Sequence, residues 1–190
     1  MFERDIIRQL SAWKMDVNRK PLVIHGARQV GKTWALKYFG KVYFEDVAYF
    51  SLDKDESGLC DIFKTTKDPR RIIQQLSFLH GKKINPQTTL LILDEIQECN
   101  EALNALKYFC EEAPEYAVAC AGSLLGIYLN HIGNSFPVGK VNHLSMYPLT
   151  FTEFLKTKDP NMYEYLCFIK EIAPLPQIFF DKLRESFVAY

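Results

Sequence analysis

One octapeptide constrains the fold of this chain of 190 residues more than any other feature. Residues 26–33 read GARQVGKT, which satisfies the pattern G-x-x-x-x-G-K-[ST] at every position. The apolar run at residues 21–25 comes directly before it, and residues 32–39 are compatible with a helix. This strand–loop–helix order is the context that the pattern requires, and it predicts an α/β fold with the loop at one edge of a sheet.

The composition of this loop suits the binding of phosphate groups. Glycines let the backbone approach an anion closely, and backbone amides together with the positive end of the following helix attract phosphate oxygens. We therefore predict a P-loop (Walker A) that binds a nucleoside triphosphate, with Lys32 at the β and γ phosphates and the Thr33 hydroxyl on Mg²⁺. The alternative is a glycine turn beside a surface lysine. The predicted nucleotide-contacting residues are Gly26, Ala27, Arg28, Gln29, Val30, Gly31, Lys32, Thr33 and Trp34.

Short apolar runs alternate with helical periodicity between about residues 20 and 145, which is typical of an α/β domain. The run at residues 90–93 is apolar throughout, as expected of a parallel strand covered on both faces. Besides residues 21–25, strands are predicted at residues 48–52, 90–93, 116–121 and 141–146, with helices at 70–79 and 101–112. Beyond Pro148 the pattern predicts only helices, at residues 152–156, 161–170 and 177–190.

An acidic pair, Asp94 and Glu95, follows the run at 90–93 directly. Parallel strands carry residues at their C-terminal ends to the same edge of the sheet, so we expect both acids beside the P-loop. Asp94 is predicted to hold Mg²⁺, directly or through water, as in a Walker B strand. Glu95 is predicted to polarise the attacking water as a general base. A solvated loop acid is the alternative interpretation of Glu95.

Ser123 and an arginine are the remaining candidates for the reaction. Ser123 ends an apolar stretch, and it is compatible both with a sensor of the γ phosphate and with the N-cap of a helix at residues 124–125. Its order along the chain favours the sensor. Residues 122–148 contain no arginine to stabilise the transferred phosphoryl group, and Lys140 is their only lysine. Arg28, Arg184 or an arginine from outside the chain is the alternative, so we expect slow hydrolysis by this chain alone.

Charge, hydropathy and cysteine spacing exclude several other classes. Lys plus Arg and Asp plus Glu both number 23, so the net charge is zero and no global field attracts nucleic acid or a membrane surface. No apolar run reaches about 18 residues, so we predict a cytoplasmic protein without a membrane span. Five cysteines lack CxxC spacing and are predicted to be reduced, mostly buried thiols without a zinc site: Cys60, Cys99, Cys110, Cys120 and Cys167.

Five segments carry a resemblance to a known family. GARQVGKT, LLILDEIQ, AGSLLG, FPVGKV and YPLTFTEFL, in this order and spacing, closely resemble the prokaryotic AAA-type ATPases that carry a C-terminal DUF4143 domain. The likeness spans about residues 4–156. It implies an AAA+-like core with a parallel five-stranded sheet of order 5-1-4-3-2, ATP and Mg²⁺ as ligands, and the roles given above for Lys32, Thr33, Asp94, Glu95 and Ser123.

The resemblance also implies a domain organisation. Residues 1–150 are expected to form the ATPase domain, and residues 151–190 a helical segment that begins a C-terminal region. Members of this family run to about twice this length, so we expect the chain to be the N-terminal part of a longer protein. Trp34 stands where relatives more often have a small or hydroxyl residue, and it is predicted to pack on the sheet. Ile6, Ile7 and Leu10 lie where related ATPases build an adenine pocket.

The leading functional hypothesis is an ATP hydrolase that binds ATP and ADP and couples nucleotide state to movement of a C-terminal region. A nucleotide-gated interaction or assembly module with negligible hydrolysis is the alternative. For the hydrolase, a homo-oligomer or an arginine donated in trans would complete the site. A phosphotransferase would need an acceptor site and a lid, and the sequence shows a sign of neither. No guanine-reading N-K-x-D pattern and no nucleic-acid motif occurs.

Overall fold

A computed structural model describes residues 4–53, 58–123, 139–169 and 174–190. One or more helices separate consecutive strands as far as the fourth strand, and only helices follow the fifth in these residues. The strands are β1 (Leu22–Gly26), β2 (Asp46–Ser51), β3 (Thr89–Asp94), β4 (Ala117–Ser123) and β5 (Asn142–Ser145). The helices are α1 (Ile6–Met15), α2 (Lys32–Tyr43), α3 (Leu59–Thr65), α4 (Pro69–His80), α5 (Asn100–Glu112), α6 (Phe151–Lys158), α7 (Pro160–Phe168) and α8 (Gln177–Ala189).

The five strands form one parallel sheet in the order β2-β3-β4-β1-β5. Read from the other edge this is 5-1-4-3-2, so the predicted order is confirmed. The register places Gly26 beside Ser123 and Ser51 beside Asp94. The C-terminal ends of β1, β3 and β4 therefore lie side by side, and they bring the P-loop, the acidic pair and Ser123 together.

Two apolar layers cover the sheet. Leu90 and Ile92 of β3 pack on the side of α1 and α2, whereas Leu91 and Leu93 pack on the side of α3, α4 and α5. All four are almost completely buried. Alternate residues of a strand point to opposite faces, which explains why this strand is apolar at every position.

Each strand differs from its predicted limits by one or two residues at each end. β2 begins at Asp46 rather than residue 48, because Asp46 already pairs with Thr89 of β3. β5 covers only Asn142–Ser145, a mostly polar and half-exposed segment. Its pairing with β1 depends on backbone hydrogen bonds rather than on an apolar pattern, so its limits are poorly marked in the sequence.

The cysteine prediction was wrong for one pair. Cys60 of α3 and Cys99, which precedes α5, form a disulfide across a sequence separation of 39 residues. Their spacing gives no sign of this, because the pair is formed by the packing of α3 against α5. Cys110, Cys120 and Cys167 are free, as predicted, but only Cys120 is buried.

The segment after β5 is helical, as predicted. Thr150 and Glu153 form a capping box at the start of α6. α8 reaches back to α6 through aromatic contacts, with the rings of Phe151 and Phe187 5.3 Å apart, but it has no buried residue. Within the described part of the chain, no helix has the length and apolar character needed to cross a membrane. A domain boundary at residue 150 stays a prediction.

Candidate active site

The P-loop connects β1 to α2 through unusual backbone conformations. Gly31 is left-handed, with φ of 96°, and is the N-cap residue directly before α2. A Cβ on Gly26 would lie 2.1 Å from the carbonyl oxygen of Met146, so this position has no room for a side chain. Gln29 is also left-handed, with φ of 64°, which costs a non-glycine residue about 1–2 kcal/mol. This compact turn leaves its backbone amides available for phosphate oxygens.

Lys32 lies inside the loop that precedes it. Its side chain is nearly buried, and Nζ donates to the carbonyl oxygens of Gly26 at 3.0 Å and Ala27 at 2.8 Å. Burial lowers the pKa of Lys32, and the nearby Arg28 lowers it further, while Glu95 and Asp94 act in the opposite direction. The ammonium group is therefore held where the triphosphate is expected, by carbonyl groups that a phosphate would replace.

Thr33 and Asp94 meet at one carboxylate oxygen. The Thr33 hydroxyl donates to Asp94 Oδ2 at 2.8 Å, and Asp94 is only 4% exposed. Tyr49 of β2 donates its hydroxyl to the same oxygen at 2.9 Å. Burial and this bond to Asp94 raise the pKa of Tyr49 to about 12, so the phenol stays protonated and keeps donating. A hydroxyl and a carboxylate are ligands that Mg²⁺ prefers, so this pair fits the predicted metal site.

Sequence reasoning missed Tyr49. Tyr49 pairs with Ile92 in the β2–β3 register, and Ile92 precedes Asp94 by two residues. Lys37 Nζ lies 3.4 Å from the centroid of the Tyr49 ring. Only the pairing of β2 with β3 shows that the hydroxyl reaches Asp94. An apolar run containing a tyrosine is otherwise typical of any half-buried strand.

Glu95 is held by two neighbours. Ser123 Oγ donates to Glu95 Oε2 at 3.0 Å, and Gln97 Nε2 donates to the same oxygen at 2.6 Å. Burial favours the neutral acid, but the bonds from Gln97 and Ser123 and the charge of Lys32 outweigh it, so the pKa of Glu95 lies below its ordinary value. Glu95 is consequently ionised and oriented, as a general base must be before it accepts a proton.

Lys32, Thr33 and Glu95 border a single cleft of about 560 Å³, and the nearly buried Asp94 contacts it through Thr33. Asp53, which follows β2 and which we did not assign to the site from the sequence, also lines it. Its lining residues are Arg28, Gln29, Gly31, Lys32, Thr33, Trp34, Asp53, Glu95, Gln97, Glu98 and Ser123. Of the predicted loop residues, Gly26, Ala27 and Val30 are outside this lining. Gly26 and Ala27 bind Lys32, and Val30 is buried in the layer beside α1 and α2.

Trp34 does not pack on the sheet as predicted. It is 39% exposed and stacks on Tyr38, with ring centroids 5.1 Å apart. Helix α2 turns the face that contains Ala35, Leu36 and Phe39 toward the sheet, so residues 34 and 38 share the opposite face. Of the three residues predicted for an adenine pocket, Ile6 and Leu10 are buried in the core. Ile7 lines a groove together with Trp34 and Tyr38.

The three basic residues considered for stabilising the transferred phosphoryl group lie in different surroundings. Arg28 lines the cleft, whereas Lys140 forms an ion pair with Glu111 at 2.8 Å. Arg184 is an exposed residue of α8. The alternative role of Ser123 as an N-cap involves residues 124–125, which lie outside the described residues, as do residues 136–138 of the FPVGKV segment.

The family follows from the comparison with known sequences. Residues 18–155 match the model of the AAA_14 family, described as an AAA domain. This chain belongs to the AAA_14 family. The match includes the P-loop, Asp94, Glu95 and Ser123, and it extends into α6. No curated protein matches the chain significantly.

Solved structures place this AAA_14 domain among P-loop ATPases by fold. The Walker-type ATPase PABY2304 of Pyrococcus abyssi is similar with a TM-score of 0.51 and 16% identity over 99% of this chain and 63% of its own length. The Orc1 protein of Aeropyrum pernix, solved in complex with DNA, is similar with a TM-score of 0.51 and 12% identity over 98% of this chain and 66% of its own. The chain of 190 residues thus spans slightly less than two thirds of the lengths of these two proteins.

Proposed function

We propose that this AAA_14 domain binds ATP with Mg²⁺ and hydrolyses it to ADP and phosphate. The observation that carries the proposal is the hydrogen bond of 2.8 Å from Thr33 Oγ1 to Asp94 Oδ2. Thr33 lines the same cleft as Lys32 and Glu95. A phosphate-binding loop alone accounts for nucleotide binding. The oxygen atoms of Thr33 and Asp94, which suit Mg²⁺, and the oriented carboxylate of Glu95 favour hydrolysis in addition to binding.

Each residue has a separate task in this proposal. Lys32 would leave the carbonyl groups of its own loop and bind the β and γ phosphates, and Thr33 and Asp94 would hold Mg²⁺. When bound, Mg²⁺ neutralises charge on the phosphates. Glu95 accepts a proton from the water that attacks the γ phosphate, in the orientation given by Ser123 and Gln97. The sensor role of Ser123 stays a prediction, and its bond to Glu95 supports a link between γ-phosphate occupancy and the base.

Slow turnover is part of the proposal. Arg28 is the arginine that lines the cleft within the described residues, and Lys140 is occupied by Glu111. A second arginine would come from another copy of the chain or from another partner. The depressed pKa of Glu95 also makes this carboxylate a weaker base.

We further propose that nucleotide state is coupled to a C-terminal region, which the resemblance identifies as a DUF4143 domain. A cytoplasmic location stays a prediction from the sequence. We propose no nucleic-acid ligand, since the net charge is zero and basic and acidic residues balance.

The alternative function is a nucleotide-gated module with negligible hydrolysis. The ion pair between Lys140 and Glu111 favours this alternative. Lys140 is the one lysine of residues 122–148, and its pairing with Glu111 keeps it from replacing the missing arginine. ATPase activity that rises with protein concentration would support an arginine donated in trans. Tight ATP binding without turnover at any concentration would support the gated module.

Nucleotide binding and phosphate release test the proposal. We expect Lys32→Ala to lose ATP binding, because it removes the charge at the phosphates, while the exposed Lys41→Ala of the same helix binds ATP like the wild type. Glu95→Gln should keep ATP binding and reduce phosphate release by a factor of about 100 or more. Unchanged affinity in Lys32→Ala would overturn nucleotide binding at this loop. Equal nonzero release rates for the wild type and Glu95→Gln would exclude Glu95 as the base.

A further inference from the structure

One arginine outside the GARQVGKT segment contacts the P-loop and two distant segments at once. Arg4 Nη1 donates to the carbonyl oxygen of Val30 at 3.2 Å, and Nη2 donates to that of Tyr147 at 2.7 Å. Nε donates to Glu153 Oε1 at 3.2 Å. Its side chain is 13% exposed, and the bonds to Val30 and Glu153 are partly buried, whereas the bond to Tyr147 is exposed. Arg4 therefore joins the loop, the segment after β5 and helix α6.

Glu153 completes the junction from the side of α6. Its side chain is 6% exposed, and besides Arg4 it accepts from the backbone amides of Asp5 at 2.7 Å and Thr150 at 2.8 Å. Burial favours the neutral acid, yet these amides and the charge of Arg4 outweigh it and hold the pKa of Glu153 below its ordinary value. The carboxylate that caps α6 is thus the same group that anchors Arg4.

The geometry of the peptide bond connects this junction to the phosphate site. The Val30 carbonyl and the Gly31 N–H belong to one planar trans peptide, so they point in opposite directions. The Val30 carbonyl accepts from Arg4 and the Val30 side chain packs in the layer beside α1 and α2, whereas Gly31 lines the cleft. Both neighbours of Val30 have positive φ, so this peptide depends on such external contacts for its orientation.

We propose that Arg4, anchored by Glu153, is a positioning residue that presents the Gly31 amide to the phosphates and couples their occupancy to helix α6. This rests on the proposed binding of ATP. A phosphate that accepts from the Gly31 amide favours the peptide orientation that Arg4 stabilises. By reciprocity, the nucleotide then stabilises the contacts of Arg4 with Glu153, and with them the first turn of α6.

The test measures ATP affinity together with hydrogen exchange of the amides in α6. In the wild type, saturating ATP with Mg²⁺ should slow exchange at the start of α6 several-fold. In Arg4→Gln we expect ATP affinity to fall about tenfold, which is the loss for a hydrogen bond from a charged donor. At saturating ATP this variant should show no slowing in α6, although its site is filled. A general loss of structure would instead raise exchange in both the free and the bound state.

Two further variants keep the outcome clear. Arg4→Lys retains the charge opposite Glu153 but lacks the fork that reaches three acceptors, so it should keep the fold and still lose the response of α6. Arg8→Gln, an arginine of α1 that is 72% exposed and pairs with Asp5, is the matched control and should behave like the wild type.

The outcomes separate this inference from the proposed function. A wild type that binds no ATP overturns the proposed function and this inference with it. A wild type that binds ATP without any change in α6, or an Arg4→Lys variant with wild-type affinity and a wild-type response, overturns the positioning role of Arg4 alone.

Discussion

At the scale of single residues, the site is organised around two carboxylates with different surroundings. Asp94 is nearly buried and accepts hydrogen bonds from the hydroxyls of Thr33 and Tyr49, whereas Glu95 faces the cleft with φ of 50°. A left-handed non-glycine residue costs about 1–2 kcal/mol, which the bonds to Glu95 from Ser123 and Gln97 offset. The different surroundings of the two acids agree with the tasks proposed for them, metal binding by Asp94 and proton transfer by Glu95.

Tyr49→Phe tests the role of the hydroxyl behind Asp94. Phenylalanine keeps the ring under Lys37 but removes the bond to Asp94 Oδ2. Partners behind a metal ligand typically contribute a factor of about 10–100 in metal affinity, so we expect the Mg²⁺ concentration needed for tight ATP binding to rise about tenfold. Titration of ATP binding with Mg²⁺ measures this. Binding in the presence of a chelator should not change, and Tyr116→Phe, at the opposite end of the sheet, serves as control.

At the scale of secondary-structure elements, β1, β5 and the P-loop depend on one close backbone approach. The carbonyl of Met146 lies where a Cβ of Gly26 would be, and the Met146 amide donates to the His25 carbonyl at 2.8 Å. The glycine that begins the P-loop is thus needed for the packing of the segment after β5, in addition to any contact with phosphate.

Gly26→Ala should therefore disturb both the fold and the site. The methyl group forces the Met146 backbone away, and we expect the free energy of unfolding to fall by about 2–4 kcal/mol and ATP affinity to fall more than tenfold. Urea denaturation and nucleotide titration measure the two effects. Gly81→Ala is the matched control, since Gly81 has φ of 75° but no atom within 4 Å of its added Cβ. It should cost about 1 kcal/mol and leave ATP affinity intact. Equal losses in the two variants would contradict the close-approach explanation.

At the scale of the whole molecule, the disulfide between Cys60 and Cys99 ties α3 to the end of the active-site segment. Cys99 directly follows Gln97 and Glu98, which both line the cleft. The disulfide closes a loop between residues 39 apart in the sequence. Such a link reduces the conformational freedom of the unfolded chain rather than adding contacts to the folded one. Its contribution should therefore depend on the redox state of the solution.

Reduction of this bond should lower the free energy of unfolding by about 3–4 kcal/mol, the amount that chain entropy predicts for a loop of this length. Urea denaturation of the wild type with and without a reductant measures the difference. Cys60→Ser should match the reduced wild type under both conditions, whereas Cys110→Ser, which removes a free and half-buried thiol, should follow the wild type. Identical midpoints for the wild type with and without reductant would contradict the prediction.

The fold and the central site residues were largely predictable because their signals are local. A glycine pattern between a strand and a helix identifies the P-loop, and continuous apolar residues followed by two acids identify β3 with Asp94 and Glu95. The resemblance to AAA-type ATPases supplied the strand order, which the sheet confirms. Signals within one loop or one strand survive in the sequence because they reflect backbone conformation and burial.

Tertiary structure alone decided which distant residues support that site. Tyr49 reaches Asp94 only through the β2–β3 register, and Arg4 meets Glu153 across 149 positions of sequence. Trp34 turned outward because α2 buries its other face, and Cys60 found Cys99 because α3 packs on α5. The sequence by itself determined the P-loop, the acidic pair and the class of fold, since these depend on neighbouring residues. The partners that orient them depend on packing between elements, which local pattern does not encode.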